Sequence, residues 1–201
     1  CIHHGFGLGY FHRDLTGPEY AGRIIAQMEG AAVGVRLNTT VLSLSQRRTA
    51  ELSGPAGYET VAFRRLILAS GCRERTIGSL PVTGTRPAGV YTAGLVQRML
   101  NLRHWRPGRR ALVLGSGDLG LIVARRLALT GCRVVGVAEQ KERCGGMTRN
   151  YRACLLEHNI PLIPRATVTR LHGEGRLTGV TLRHLDSGRE EQVSSDTLVT
   201  A

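Results

Sequence analysis

Residues 109–120 read RRALVLGSGDLG, a short apolar run that leads directly into three glycines with the spacing G-x-G-x-x-G. Apolar residues then recur at helical spacing over residues 119–130, and a glycine follows at position 131, as is typical of the end of a helix. A second apolar run, residues 134–138, ends at Glu139. Strand, glycine turn, helix, strand and acid is the order that a dinucleotide-binding unit requires.

The three glycines have separate predicted roles. Gly115 permits the tight turn, Gly117 lets the backbone approach a pyrophosphate, and Gly120 lets the helix pack close to the strand. The start of the helix would offer N–H groups and the positive end of its dipole to the phosphates. Glu139 lies 24 residues after Gly115, close to the roughly 20 expected for the acid that binds the adenosine ribose. A glycine-rich turn in another kind of α/β protein is the alternative, and the flanking pattern favours the dinucleotide site.

The composition bounds the fold and the partners. The 201 residues are 42% hydrophobic, enough for a buried core in one large domain or two small ones. No apolar run approaches the ~20 residues of a membrane span, and no signal-peptide pattern is present. The net charge of +12 raises the question of nucleic acid, but the basic residues are scattered and aromatics are only 4%, too few for a base-stacking platform. We therefore predict no membrane span and no nucleic-acid partner.

The cysteines show no pattern of a redox dithiol or a zinc site, because none of the five forms a C-x-x-C pair. An odd number without close spacing fits a reducing compartment, and we expect a cytoplasmic protein. The first fifteen residues gather Cys1, His3, His4 and His12 among glycines and aromatics. Metal ligands must converge, which adjacent histidines do poorly. We predict an irregular loop there and no metal site.

The first half of the chain alternates helix and strand patterns. The spacing T-x-x-E at residues 16–19 predicts a capped helix that runs to about residue 29, with Ile24, Ile25 and Met28 on its buried face. Alternating residues predict strands at 33–37 and 41–44 and a returning strand at 58–63. The continuous apolar run at 66–69 predicts a buried parallel strand.

The second half repeats that plan. Residues 76–91 are rich in proline and glycine and predict an interdomain crossing, after which Thr92 begins a helix. The glycine-rich unit is followed by a helix at about 148–158 and a short strand at 160–163. Alternating segments then predict a three-stranded meander, at residues 167–171, 177–182 and 191–193, before a last apolar strand from residue 196 to 201. Two halves with one plan indicate a duplicated fold. The first lacks a glycine fingerprint and the chain begins at Cys1, so we expect an excerpt of a longer protein or a processed piece.

Several motifs resemble those of the two-dinucleotide-binding-domain flavoproteins, the pyridine nucleotide–disulfide oxidoreductase superfamily. Leu68-Ala69-Ser70-Gly71 is similar to its Ala-Thr-Gly segment beside FAD, with serine in place of threonine. The glycine turn with Glu139 and Gly145-Gly146 resembles its nicotinamide-binding unit. Segments 1–7, 15–20 and 115–120 are similar to a branch of FAD-dependent oxidoreductases related to the dehydrogenase subunits that work beside anaerobic glycerol-3-phosphate dehydrogenase and sarcosine oxidase.

The resemblance covers nearly all of the chain and implies an α/β, Rossmann-like FAD/NAD(P)-binding fold with a parallel sheet, helices and an antiparallel meander. It implies two related domains, a partial FAD-binding domain at 1–85 and an NAD(P)-binding domain at 86–201. Near FAD it places Ala69, Ser70 and Gly71, with Val41 beside the adenine and the loop of residues 1–7 facing the flavin. For the nicotinamide dinucleotide it implies Gly115, Ser116, Gly117, Asp118, Leu119, Gly120 and Glu139. We expect the 201-residue chain alone to bind FAD weakly or not at all, and still to bind the nicotinamide dinucleotide.

The implied activity is hydride transfer between NAD(P)H and flavin N5, with a small-molecule substrate or a redox partner subunit that the sequence does not identify. Cys1, His3 and His4 fit loop packing and a catalytic role equally well, the histidines as proton donors near neutral pH, so no catalytic residue is assigned. Residues 92–114 contain no cysteine, which argues against a thioredoxin-reductase-like dithiol. Glu139 favours NAD(H) over NADP(H), although Lys141 and Arg143 in what we expect to be a mobile loop oppose it. The resemblance allows a homodimer or a hetero-oligomer. The alternative function is a non-catalytic dinucleotide-binding module or a structural subunit of a redox complex.

Overall fold

The computed structural model describes residues 9–13 and 15–201 and divides into two compact units, residues 19–72 and the remainder. The helices are α1 (Gly17–Glu29), α2 (Ala93–Leu102), α3 (Asp118–Leu129) and α4 (Thr148–Cys154). The strands are β1 (Thr40–Ser45), β2 (Thr49–Gly54), β3 (Gly57–Ala62), β4 (Thr83–Gly84), β5 (Val90–Thr92), β6 (Arg110–Leu114), β7 (Arg133–Ala138), β8 (Leu162–Ile163), β9 (Ala166–His172), β10 (Gly179–His184), β11 (Glu190–Ser194) and β12 (Thr197–Thr200). Short 3₁₀ turns occupy Ile77–Ser79 and Leu156–His158.

The larger unit is built in three layers around a parallel sheet. Its strands follow the order β5-β12-β6-β7-β8, and every neighbouring pair is parallel. Helices α2, α3 and α4 contribute to the core on one face, and a sheet of order β11-β10-β9-β4 contributes to the core on the other. Strands β9, β10 and β11 form an antiparallel meander. The predicted α/β fold with its meander is therefore confirmed.

Residue alternation explains why the central strand is buried on both sides. In β6, Ala111 and Val113 belong to the core under the helices, while Leu112 and Leu114 belong to the core under the meander. Successive side chains of a strand point to opposite faces, so a strand covered on both faces reads as a continuous apolar run. The glycine turn follows directly at the carboxyl end of this strand.

The smaller unit contains α1 from Glu19 onward and the antiparallel sheet β1-β2-β3. Three of our sequence predictions for it are wrong. Helix α1 has no buried residue, and Ile25 is 54% exposed. Residues 33–37 and 66–69 form no strand, and their apolar side chains are exposed, Ile67 to 89%. A segment forms a strand only where its backbone pairs with a neighbouring strand. In the described residues of this unit, the paired strands β1, β2 and β3 do not extend to residues 33–37 or 66–69.

Residues 76–91, where we predicted an interdomain crossing, contribute β4 and β5 to the larger unit. The domain division at residue 85 stays a prediction. In the part of the chain that the structure describes, no helix combines the length and apolar character needed to cross a membrane.

Candidate dinucleotide-binding site

The glycine turn connects β6 to α3 at the carboxyl edge of the parallel sheet. Gly115 has φ of +109°, a left-handed conformation that favours glycine. A Cβ at this position would overlap the carbonyl oxygen of Ala201, which follows the neighbouring strand β12. The backbone at position 115 therefore lies closer to the end of β12 than any residue with a side chain would allow.

The other two glycines differ in what surrounds them. A Cβ on Gly120 would overlap the carbonyl oxygen of Gly115, so the first turn of α3 packs directly on the end of the strand. Gly117 precedes α3 and has nothing within 4 Å of its Cβ position. The open space lies where the helix begins, and a pyrophosphate fits there chemically because N–H groups at a helix start bind anions.

A cavity of about 330 Å³ opens beside this turn. It is lined by the ends of β6, β7 and β12, by the loop after β7 and by the segments around residues 75 and 80–82. The predicted residues Gly115, Ser116, Gly117 and Glu139 all line it. The sheet topology thus brings together residues more than 20 positions apart, since carboxyl ends of parallel strands share one edge.

Three predicted residues of the motif do not line the cavity. Asp118 is turned toward α4, and its Oδ1 accepts hydrogen bonds from the N–H of Met147 (2.8 Å) and from Nδ2 of Asn150 (2.7 Å). Leu119 packs against the helix-side core, and Gly120 is buried. These residues support the site through packing, and their contact with a cofactor stays a prediction.

The carboxylate of Glu139 is held by the glycine turn. Its Oε2 accepts hydrogen bonds from the N–H (3.0 Å) and the Oγ–H (2.5 Å) of Ser116, and its Oε1 accepts one from the N–H of Lys141 (2.9 Å). Although burial opposes ionisation, the hydrogen bonds from Ser116 and Lys141 hold the pKa of Glu139 below its usual range. The carboxylate is therefore ionised at neutral pH.

The loop that follows β7 is hydrogen-bonded at several points of its backbone. The N–H of Gly145 donates to Oγ of Ser116 at 2.8 Å, and Met147 is held by Asp118. The side chains of Lys141 and Arg143, which we expected in a mobile loop, are exposed. Their backbone belongs to a loop fixed to the glycine turn at both ends.

Sequence reasoning missed Arg75 and Ala201 as lining residues. Arg75 follows Glu74, whose carboxylate accepts hydrogen bonds from Oγ1 of Thr92 (2.7 Å) and from the N–H of Gly94 at the start of α2 (2.5 Å). Glu74 thus caps α2 from a distant part of the sequence, which no local pattern reveals. Ala201 could have been found, because it ends an apolar strand that pairs beside the glycine turn.

The residues predicted to approach FAD belong to the smaller unit. Val41 lies in β1 and is 55% exposed, and Ala69, Ser70 and Gly71 are exposed outside any strand. Gly71 has φ of +72°. Their role toward FAD stays a prediction. The predicted loop of residues 1–7, with Cys1, His3 and His4, lies outside the described residues.

Comparison with known proteins gives a family and several relatives. The family model described as pyridine nucleotide-disulphide oxidoreductase matches residues 11–201. Hydrogen cyanide synthase subunit HcnB of Pseudomonas aeruginosa is 31% identical over 172 residues, 77% of this chain and 36% of that protein. The ferredoxin–NAD(+) reductase component of the anthranilate 1,2-dioxygenase system of Burkholderia cepacia is 31% identical over 156 residues, 76% of this chain and 34% of that protein. The chain therefore spans about a third of the length of these relatives.

Among solved structures, thioredoxin reductase of T. acidophilum matches with a TM-score of 0.71 and 18% identity. The match covers 93% of this chain and 59% of that one. At this identity the likeness establishes the fold.

Proposed function

Since this chain belongs to the pyridine nucleotide-disulphide oxidoreductase family, we propose that it forms part of an FAD-dependent enzyme that transfers hydride between a nicotinamide dinucleotide and a flavin. The observation that carries the proposal is the open space at Gly117, at the start of α3, in a cavity that Glu139 also lines. An anion-binding helix start and a ribose-binding acid at one sheet edge match the diphosphate and the ribose of an adenosine diphosphate moiety.

Residues of this chain bind and orient the dinucleotide. The backbone at Gly117 and the first turn of α3 hold the pyrophosphate, and Glu139 accepts a hydrogen bond from the adenosine ribose. The flavin and the nicotinamide supply the hydride chemistry when bound. FAD is assigned to Val41, Ala69, Ser70 and Gly71 on the strength of the family resemblance.

We further propose NAD(H) as the preferred nicotinamide cofactor, supported by the ionised carboxylate of Glu139. A 2′-phosphate carries up to two negative charges and would be repelled by it. Lys141 and Arg143 could offset this repulsion, but both side chains are exposed to water, which screens their charge.

Two relatives are named as a synthase subunit and as the reductase component of a dioxygenase system. By analogy we propose that this protein passes electrons to or from a partner subunit, whose identity the site does not reveal. A cytoplasmic location is supported by the cysteines of the described part, which are free thiols (Cys72, Cys132, Cys144 and Cys154).

The test is the visible spectrum of the full-length protein under anaerobic conditions. We expect a yellow protein whose flavin band is bleached on addition of NADH. A colourless protein that binds NADH would instead favour the alternative, a non-catalytic dinucleotide-binding module. A yellow protein that neither NADH nor NADPH reduces would contradict the proposed hydride transfer.

A further inference from the structure

The side chain of Ser116 has no place in the general pattern of the glycine turn, which constrains only the glycines around it. We propose that Ser116 is a positioning residue that immobilises Glu139, so that the glycine turn itself enforces the choice between NAD(H) and NADP(H). This inference rests on the proposed function, because it concerns the acid assigned to the ribose.

Ser116 is fully buried between the two glycines, and three of its hydrogen bonds connect it to Glu139 and to Gly145. Its Oγ–H and its N–H both donate to Oε2 of Glu139, at 2.5 and 3.0 Å. The same Oγ accepts a hydrogen bond from the N–H of Gly145 at 2.8 Å. One hydroxyl therefore connects the turn, the acid at the end of β7 and the loop beyond it.

The carboxylate of Glu139 keeps one free acceptor site for a ligand. A carboxylate offers about four lone-pair sites, and three of those on Glu139 are used by Ser116 and by the N–H of Lys141. The remaining site is on Oε1. It can accept one hydrogen bond from a ribose hydroxyl, whereas a phosphate ester has no hydrogen to donate at that position.

A fixed acid discriminates better than a mobile one. An unrestrained glutamate could rotate away from a 2′-phosphate at the cost of little more than a rotamer change, and so relieve the repulsion. With Ser116 and Lys141 holding both oxygens, that rotation breaks three hydrogen bonds. Rejection of NADP(H) thus depends on Ser116 as well as on the charge of Glu139.

The same hydroxyl restrains the loop that carries the competing cations. Gly145 is held by Ser116 and Met147 by Asp118, while Lys141 and Arg143 lie between these points and Glu139. A loosened loop could bring those side chains to a 2′-phosphate. Loss of the Ser116 hydroxyl would therefore weaken the repulsion between Glu139 and a 2′-phosphate. It would also let Lys141 and Arg143 approach that phosphate, and both effects favour NADP(H).

The test is Ser116→Ala in the full-length protein, with kcat/KM measured for NADH and NADPH. We expect the NADH-to-NADPH ratio to fall roughly tenfold, the worth of one charge-assisted hydrogen bond. The change should lie mainly in KM. The acidic limb of the pH profile for NADH binding should also move to higher pH, because the pKa of Glu139 loses a donor that lowers it.

Thr130→Ala is the matched control. It deletes a hydroxyl that donates to the carbonyl of Leu127 at the far end of α3, and we expect an unchanged ratio. If Ser116→Ala fails to fold, Ser116→Cys decides the question, since a thiol of similar size is a weaker donor and should lower the ratio.

A folded Ser116 variant that keeps the wild-type ratio and pH profile would overturn the inference. If instead the wild-type protein binds neither dinucleotide, the proposed function is wrong. If the wild-type protein prefers NADPH, the proposed cofactor choice is wrong, whatever the Ser116 variants do. The two failures are therefore distinguishable in one set of measurements.

Discussion

At the scale of the residue, Glu139 is the acid that we propose for recognition of the adenosine ribose. Its carboxylate is ionised, restrained by Ser116 and Lys141, and lines the cavity beside Gly117. Glu142, three residues further on, instead forms an exposed ion pair with Arg165 at 3.0 Å. Two carboxylates in one loop thus have different surroundings, and only the first faces the proposed ligand.

We therefore expect Glu139→Ala to lower the NADH-to-NADPH ratio of kcat/KM by ten- to a hundredfold, about 1.4–2.8 kcal/mol. The variant loses a hydrogen bond to the ribose and the repulsion of a 2′-phosphate. Steady-state kinetics with both cofactors measure the ratio, and Glu142→Ala should leave it unchanged. Equal ratios for wild type and Glu139→Ala would mean that another group reads the ribose.

At the scale of the element, Asp196 joins the amino ends of two adjacent strands. Its carboxylate accepts hydrogen bonds from the N–H of Arg109 (2.9 Å), just before β6, from the N–H of Arg110 (3.1 Å), the first residue of β6, and from Oγ1 of Thr197 (2.8 Å) at the start of β12. Burial opposes ionisation, yet these donors hold the pKa of Asp196 below its usual range. The pairing of β6 with β12, which sets the glycine turn beside Ala201, is thereby tied at its opposite end.

The lowered pKa makes stability depend on pH. A carboxyl group whose pKa is lower in the folded state stabilises the fold above its unfolded value, near 3.8, and that contribution is lost as the pH falls through the folded value. Asp196→Asn should cost about 1–3 kcal/mol at neutral pH, because backbone N–H groups lose an ionised acceptor. Its free energy of unfolding should also fall less steeply below about pH 4.

Denaturant unfolding of wild type, Asp196→Asn and Glu174→Gln at neutral and acid pH checks this. Glu174 is exposed in a loop, so its substitution removes the same charge without the strand contacts. A loss of stability in Asp196→Asn no larger than in Glu174→Gln would show that the link between β6 and β12 is not stabilising.

At the scale of the whole molecule, the sequence predicted the larger unit well and the smaller unit poorly. The family and the α/β fold are confirmed, because β6, the glycine turn and α3 are determined by local spacing and by burial on both faces. Residues 33–37 and 66–69 are as apolar as real strands, but pairing depends on a neighbour that a local pattern does not contain. Glu74 and Asp196 escaped prediction for the same reason, since each acts across a large separation in sequence.

Binding of NADH to the full-length protein and to its Gly117→Val variant tests most directly whether the cavity beside the glycine turn is the dinucleotide site. Gly117 has φ of −61°, which valine tolerates, and open space at its Cβ position. The fold should therefore persist while the side chain occupies the place that we propose for the pyrophosphate. Gly175→Val is the matched control, because Gly175 also has open space at its Cβ position. We predict that Gly117→Val raises the Kd for NADH at least about a hundredfold, roughly 2.7 kcal/mol, while Gly175→Val leaves it unchanged. A folded Gly117→Val protein that binds NADH as tightly as wild type would contradict the assignment.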